Sequence, residues 1–348
     1  MADKIDVSII VPVYNGEQWL DQCLESVVEQ EFSGKLEISI FNDASTDKSS
    51  ELIDAWSYKI QKNGIKFTFI SSSSSSPKGV GFAKNEAVKN SCGEYLCFLD
   101  ADDVMHPCRV RKQYEACDSN DDMIVGCQFH REPEDSTPRY TNWANNLSSS
   151  QLYTQIYTAF GPTIVMPTWF CHRNVFRKVG GFSEAGKGTP EDLLFFYDHL
   201  KMGGKLLRVD EDLLMYRYHA AATTFSVSEE TVWNVRLKEL EKNVLVNWAT
   251  FTIWNAGKQG RKFYRSLSPE NKEKVQTFCD VDIKKLGKGV YIYEESKTIP
   301  KPRIPIIHFS KAKPPFILCV KLDMTGGKFE ENLASLCLIE GKDYFHFS

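Results

Sequence analysis

The side chains that could do chemistry are acids and one histidine. Asp43 closes the apolar run LEISIFND, and Asp100, Asp102 and Asp103 close EYLCFLDADD. Glu191 and Asp192 follow Pro190, and His219 ends MYRYH. Carboxylates gathered at the ends of apolar runs repel one another, so they persist where a cation or hydrogen-bond donors hold them. An Asp-x-Asp after a buried strand suits a divalent ion that also binds a diphosphate, because hard cations take oxygen ligands. Alone, such a pair is commonly just a solvated acidic loop. Glu191 and Asp192 also stand where acids favour the start of a helix, just after a proline.

The elements that must position these residues alternate in type. VSIIVPV (7–13) reads as a buried strand, and 17–30 as a helix with Trp19, Leu20, Leu24 and Val27 on one face. LEISIFND (36–43) is a second strand, and 46–62 a helix with Thr46 as N-cap. IKFTFI (65–70) is a third strand, followed by the serine run 71–76, a helix over 84–90 and the strand EYLCFLD (94–100). Gly79-Val80-Gly81 reads as a tight turn beside the site. Repeated βα units imply a mainly parallel sheet, with ligands at the carboxyl ends of its strands. The stretch 130–160 is polar and reads as loops with one helix. A long amphipathic helix over Ser228–Trp248 then precedes a second α/β pattern.

A chain of 348 residues accommodates two domains. The expected division is 1–228, a linking helix 229–249, and 250–348. The ten cysteines show no C-x-x-C and no zinc-type Cys/His spacing, which points to reduced buried thiols. No apolar stretch approaches the roughly 20 residues of a membrane span. MADKID has no leader-like character, so the expected location is cytoplasmic. Between Asn255 and Pro315, 14 Lys or Arg face 6 Asp or Glu, in a chain whose net charge is −4. That asymmetry suits a polyanionic partner, or simply a solvated lysine-rich surface.

VSIIVPVYNGEQWLDQCLESVVEQ, FNDASTDKS, GVGFAKNEAV, GEYLCFLDADD, VGGF and PEDLLFF, in that order, resemble the family 2 glycosyltransferases of GT-A fold over about residues 5–220. The resemblance implies that Pro12, Val13, Tyr14, Asn15 and Asp43 hold the uracil of a UDP-sugar. Asp100, Ala101 and Asp102 would meet its ribose and a metal, Mn²⁺ in preference to Mg²⁺. His219 would complete the metal site. Asp192, with Glu191 second, would be the catalytic base of an inverting transfer. The resemblance also implies that Lys84 and Asn85 meet the donor's diphosphate; the family often has Arg before that Asn, and lysine keeps the charge without the bidentate fork. Trp169, Phe170 and His172 in MPTWFCHR suit either stacking on a sugar or base, or core packing.

Asn255-Ala256-Gly257-Lys258-Gln259-Gly260 is a degraded G-x-G-x-x-G, with Asp280 twenty positions past Gly260. It suggests a Rossmann-like domain that kept the turn for structure. Lys258, Arg261, Lys262 and Arg265 are its candidate acceptor grip. MPTWFC, PEDLLFFY, YRYH, FTIWNAGKQGR, FCDVD, KPRIPI and DYFHFS are similar to the animal transferases that galactosylate queuosine in tRNA. That similarity implies UDP-galactose as donor and a cyclopentene hydroxyl of queuosine, at the wobble position of tyrosine tRNA, as acceptor. With no membrane span in the sequence, the expected partners are the UDP-sugar and the tRNA, with no membrane and no obligate protein partner inferred. A flipped-out base could then stack on Trp169 or Tyr140. The alternative is a UDP-sugar transferase, for instance of N-acetylglucosamine, acting on a glycan or protein.

Overall fold

A computed structural model of the chain describes residues 4–117 and 120–348. They form two compact units: one runs to Leu152 and includes Pro162–Thr231, and the other comprises Tyr153–Gly161 and Val232–Ser348.

The first unit holds an eight-stranded sheet. Its strands are β1 (Val7–Val13), β2 (Leu36–Asn42), β3 (Lys66–Ser71), β4 (Tyr95–Phe98), β5 (Val104–Met105), β6 (Met123–Glu132), β7 (Phe170–His172) and β8 (Lys205–Arg217), in the order 3-2-1-4-7-6-8-5. β3, β2, β1 and β4 are parallel. β7 runs antiparallel to β4 and β6, and β6 pairs parallel with β8. Every residue of β1 and β2 is buried, as apolar runs covered on both faces require. The helices are α1 (Leu20–Val28), α2 (Ser49–Lys62), α3 (Val80–Lys89), α4 (Arg109–Cys117), α5 (Pro138–Asn146), α6 (Gln151–Thr154), α7 (Arg173–Val179) and α8 (Glu191–Lys201). α1 buries Leu20, Cys23, Leu24 and Val27, a stripe at helical spacing.

Three expectations need correction. The second helix begins at Ser49 and Thr46 does not cap it. Thr46 instead donates its amide to Asn15 Oδ1 at 2.8 Å, while Asp47 Oδ1 accepts the Ser49 amide at 3.0 Å. The polar stretch from 130 is first the end of β6 and then two helices, α5 and α6. The amphipathic helix runs from Glu229 to Asn243 and tightens to a 3-10 turn at Leu245–Asn247.

The second unit has a six-stranded sheet of β9 (Phe251–Trp254), β10 (Val275–Asp280), β11 (Val290–Ile292), β12 (Arg303–His308), β13 (Phe316–Leu318) and β14 (Tyr344–His346), ordered 11-12-10-9-13-14. All neighbours except β11–β12 are parallel. Counting only the parallel strands, the order is that of a doubly wound sheet reversing beside β9. After β9 the chain turns into the helix Lys258–Ser266. A Cβ at Gly260 would stand 1.8 Å from the Asn255 carbonyl, so only glycine allows this helix to lie against the turn. Asp280 closes the crest: Oδ2 accepts from the Ala256 amide at 2.8 Å and pairs with Lys285 at 2.9 Å. Its Oδ1 accepts from the Val281 and Asp282 amides. A ribose would have to displace those partners. Among the described residues no helix is long and apolar enough to cross a membrane.

Candidate active site

Because β1, β2 and β4 are parallel, their carboxyl ends share one edge. The Leu99 amide reaches the Ile10 carbonyl at 3.1 Å and the Asp43 amide the Val13 carbonyl at 2.8 Å, which brings Tyr14, Asp43 and Asp100–Asp103 to that edge. Pro12 and Val13 are buried in β1, whereas Tyr14 is exposed. Asn15 takes a positive φ of 52° and binds the next loop through Ser45 and Thr46. Asp43 is buried, and its carboxylate accepts the Lys78 amide at 2.8 Å and the Gly79 amide at 2.8 Å. These hydrogen bonds tie the loops after β1 and β2 to the segment that leads into α3.

The centre of the edge is a buried ion cluster. Lys84, on α3, is 3% exposed; its Nζ stands 3.0 Å from Glu191 Oε1 and 3.9 Å from Asp100 Oδ1. Burial alone would lower its pKa, but Glu191, Asp100 and Asp192 outweigh that and raise it. Asp192 is pushed up to about 6 by burial and by Glu191 beside it, with Lys84 and the Leu193 amide opposing. Asp100 is likewise pushed up to about 6 by burial, with Lys84 opposing and Asp102 adding to the rise. Gly81 permits this packing. A Cβ there would lie 2.2 Å from the Ser183 carbonyl and 3.3 Å from Glu191 Cβ.

The run Asp100-Ala101-Asp102-Asp103 sends its acids to different partners. Asp102 Oδ2 meets His219 Nε2 at 2.7 Å, just past the end of β8. Asp103 turns inward, fully buried, where Oδ1 accepts the Arg217 amide at 2.9 Å and Oδ2 has no hydrogen-bond partner. Burial, then Asp102 and Asp100, raise the Asp103 pKa well above the carboxylate range. Arg217 closes the wall. It donates to the Asp102 carbonyl and Gln22 Oε1 at 2.9 and 2.6 Å, with its guanidinium 4.4 Å over the Trp19 ring. The same Trp19 ring stands 5.3 Å from His219.

Among the described residues no group of three or more His, Cys, Asp or Glu is drawn together as a closed metal cage. What stands ready is a carboxylate and an imidazole side by side. That donor set fits a divalent ion left open to further oxygens from a ligand or water. Asp102 and His219 would hold it, with Asp100 beside them.

Several expected site residues lie elsewhere. Trp169 is fully buried, donates its indole N–H to the Ile164 carbonyl at 2.8 Å and packs against Phe182, Phe195 and Phe196. It cannot stack on an acceptor. Tyr140 is half-buried beside Trp143 and Phe129. Asn85 is engaged within the protein: its amide group donates to Phe182 O and Glu184 Oε1 and accepts from the Phe182 amide, tying α3 to that loop, and Lys84 is buried against Glu191 and Asp100. In the second unit Lys258 and Arg261 are exposed, whereas Lys262 lies 4.1 Å over the Trp233 ring and Arg265 stands 3.8 Å from Glu295. Residues 8–180 match the family model described as Glycosyl transferase family 2. An uncharacterized glycosyltransferase of Rickettsia typhi is 27% identical over 327 residues, covering 85% of this chain and 94% of its own length. The structure of Staphylococcus aureus TarS with UDP-GlcNAc superposes at TM-score 0.54, with 18% identity over 75% of this chain and 70% of that one. A mannosyltransferase of Pyrobaculum calidifontis, with GDP-Man and Mn²⁺, gives 0.53 at 17% identity over 70% and 65%.

Proposed function

From the match of residues 8–180 to the glycosyl transferase family 2 model and the GT-A-like fold of the first unit, we propose that the chain is an inverting galactosyltransferase. Its donor is UDP-galactose. Its acceptor is a cyclopentene hydroxyl of queuosine at the wobble position of tyrosine tRNA. The observation that carries the transferase chemistry is the Lys84–Glu191–Asp192–Asp100 cluster beside the Asp102–His219 pair. The acceptor rests on the near full-length similarity of the sequence motifs and on the basic helix Lys258–Ser266, whose exposed Lys258 and Arg261 suit phosphate contacts.

Each residue then has a task. Tyr14, Asn15 and the Asp43 wall receive the uracil. Glu191 is held by Lys84, so Asp192 is the freer carboxylate, with only Oδ1 engaged by the Leu193 amide at 2.7 Å. Asp192 takes the proton of the acceptor hydroxyl as that oxygen attacks the anomeric carbon. UDP departs from the opposite face, and the configuration inverts. Asp102 and His219 would hold a divalent cation, Mn²⁺ by preference, which would supply Lewis-acid stabilisation of the leaving diphosphate. Lys84 keeps Glu191 and Asp100 in place, so the reacting groups are aligned before substrate arrives.

The test combines purified protein, Mn²⁺ and a panel of UDP-sugars with tRNA that carries or lacks queuosine, followed by nucleoside mass spectrometry. A hexose should join queuosine only from UDP-galactose and only on tyrosine tRNA. Transfer to a glycan or protein, with none to tRNA, would replace the acceptor while keeping the transferase.

A further inference from the structure

The chain leaving β8 carries two exposed aromatic side chains on either side of the Asp102–His219 pair's own segment. Tyr218 is 37% exposed and Phe225 57%, and their rings meet edge to face with centroids 5.7 Å apart. The pair thus presents two adjoining aromatic rings to solvent beside His219. Tyr218 is anchored: its amide donates to the Glu132 carbonyl at 2.8 Å, and the Arg131 guanidinium stands 5.8 Å from its ring. Phe225 stands on a single 3-10 turn, Thr223–Ser226.

Two cations share this rim. A Cβ at Gly188 would lie 3.5 Å from the Ser226 carbonyl, and one at Gly79 would lie 3.3 Å from Gly186 Cα. The segments 78–79, 186–188 and 223–226 are therefore in contact, and they bring exposed Lys78 and Lys187 to the same rim as Phe225. The rim is contiguous with Glu191–Asp192 through Thr189 and Pro190. Aromatic faces between lysines form the chemistry that takes a single-stranded nucleotide, by stacking on the base and pairing with the phosphate.

We propose that the Tyr218–Phe225 pair forms an aromatic clamp against whose exposed Phe225 face an unstacked base of the acceptor strand stacks, with Lys187 and Lys78 meeting the adjoining phosphates; this rests on the nucleic-acid acceptor proposed above. The clamp determines acceptor affinity and leaves the donor site untouched.

The experiment compares the full chain with Phe225→Ala, Phe225→Trp and Lys187→Glu. It measures the acceptor KM, the donor KM, and hydrolysis of UDP-galactose without acceptor. Phe225→Ala should raise the acceptor KM by about 10-fold, in the range of one lost base stack, with donor KM and hydrolysis unchanged. Phe225→Trp should restore it, and Lys187→Glu should flatten its salt dependence. An acceptor KM within about twofold of wild type in Phe225→Ala, or a donor KM that rises equally, overturns the clamp while transfer to tRNA stands. A wild-type chain that transfers sugar only to non-RNA acceptors overturns the acceptor reading and the clamp with it.

Discussion

Replacing Lys84 by methionine should raise the pH below which activity is lost. In the intact chain Asp192 sits at about 6, held there by burial and Glu191 against the pull of Lys84. A base with that pKa is about 90% ionised at pH 7 and about 10% ionised at pH 5, so kcat/KM should fall about tenfold per pH unit below 5. Lys84 is buried, and its ammonium lies 3.9 Å from Asp100 Oδ1. At an effective dielectric of about 20, a pair at that separation is worth about 4 kcal/mol. About a third of that, acting on Asp192, already moves the acid limb up by about one pH unit. Methionine keeps the stem volume and removes the charge, so the variant's acid midpoint should lie near pH 7 or higher. The assay is kcat/KM from about pH 5 to pH 8.5 at saturating metal, with Asp192→Asn as the control that lacks the limb. An unmoved midpoint in Lys84→Met, or an intact acid limb in Asp192→Asn, would refute the assignment of the base and of the group that tunes it.

The same substitution has a stability cost, because it strands Glu191 in the interior. Lys84→Met should destabilise the first unit by about 3–5 kcal/mol, and Lys84→Met with Glu191→Gln should recover much of this in urea unfolding; a double variant no more stable than the single one would contradict the pairing. His219→Ala should raise the Mn²⁺ concentration for half-maximal activity by at least about 10-fold, read from activity against free metal, while EDTA should abolish transfer in the wild type. Lys258→Glu with Arg261→Glu should weaken tRNA binding and reduce the slope of log affinity against log salt by about 1 per lost phosphate contact, with UDP-galactose hydrolysis unchanged; an unchanged slope would remove the basic helix from the acceptor surface.

The parallel half of the first sheet was legible because β1, β2 and β4 are short apolar runs, the last two closed by acids, as strands of a sheet covered on both faces require. The other half was not. β6 and β8 together carry His130, Arg131, Asp210, Glu211 and Asp212, side chains that a sequence reader assigns to loops, and their register shifts at Cys127–Phe129. The site shows the same division. Chemical type and order along the chain singled out Asp102, Asp192 and His219, and the fold brings Asp102 and His219 within 2.7 Å. They could not find that Lys84 answers Glu191, 107 residues away, or that Asn85 is occupied in tying down the Phe182 loop. Trp169 was misplaced because an aromatic beside a site residue looks the same in sequence whether it faces water or the core. Asp103 and Arg217 had a signal, the third acid of Asp-x-Asp-Asp and the arginine of Y-R-Y-H, but only the fold pairs them.

The distribution of charge on this edge argues for a cation independently of the family. Asp100, Asp102, Glu191 and Asp192 are four carboxylates, and at pH 7 those at about 6 are still about 90% ionised. Lys84 answers Glu191 and Asp100 with one positive charge. Arg217 lies close by, but its guanidinium is engaged by the Asp102 carbonyl and Gln22. Asp103 adds little, since burial favours its neutral form. The edge therefore keeps a surplus of negative charge, and a nucleoside diphosphate brings more. Two anionic groups within a few ångströms repel by several kcal/mol in a partly buried site. A divalent ion between Asp102 and the diphosphate reverses the sign of that interaction. Protonating Asp192 and Asp100 instead would relieve the repulsion, but it would also remove the base. Donor binding without metal should therefore be weak at pH 7 and improve as the pH falls through about 6, whereas binding with Mn²⁺ should not improve. Titration calorimetry with UDP in EDTA at pH 5.5 and 7.5 decides it: equal affinities would mean that these carboxylates do not face the donor.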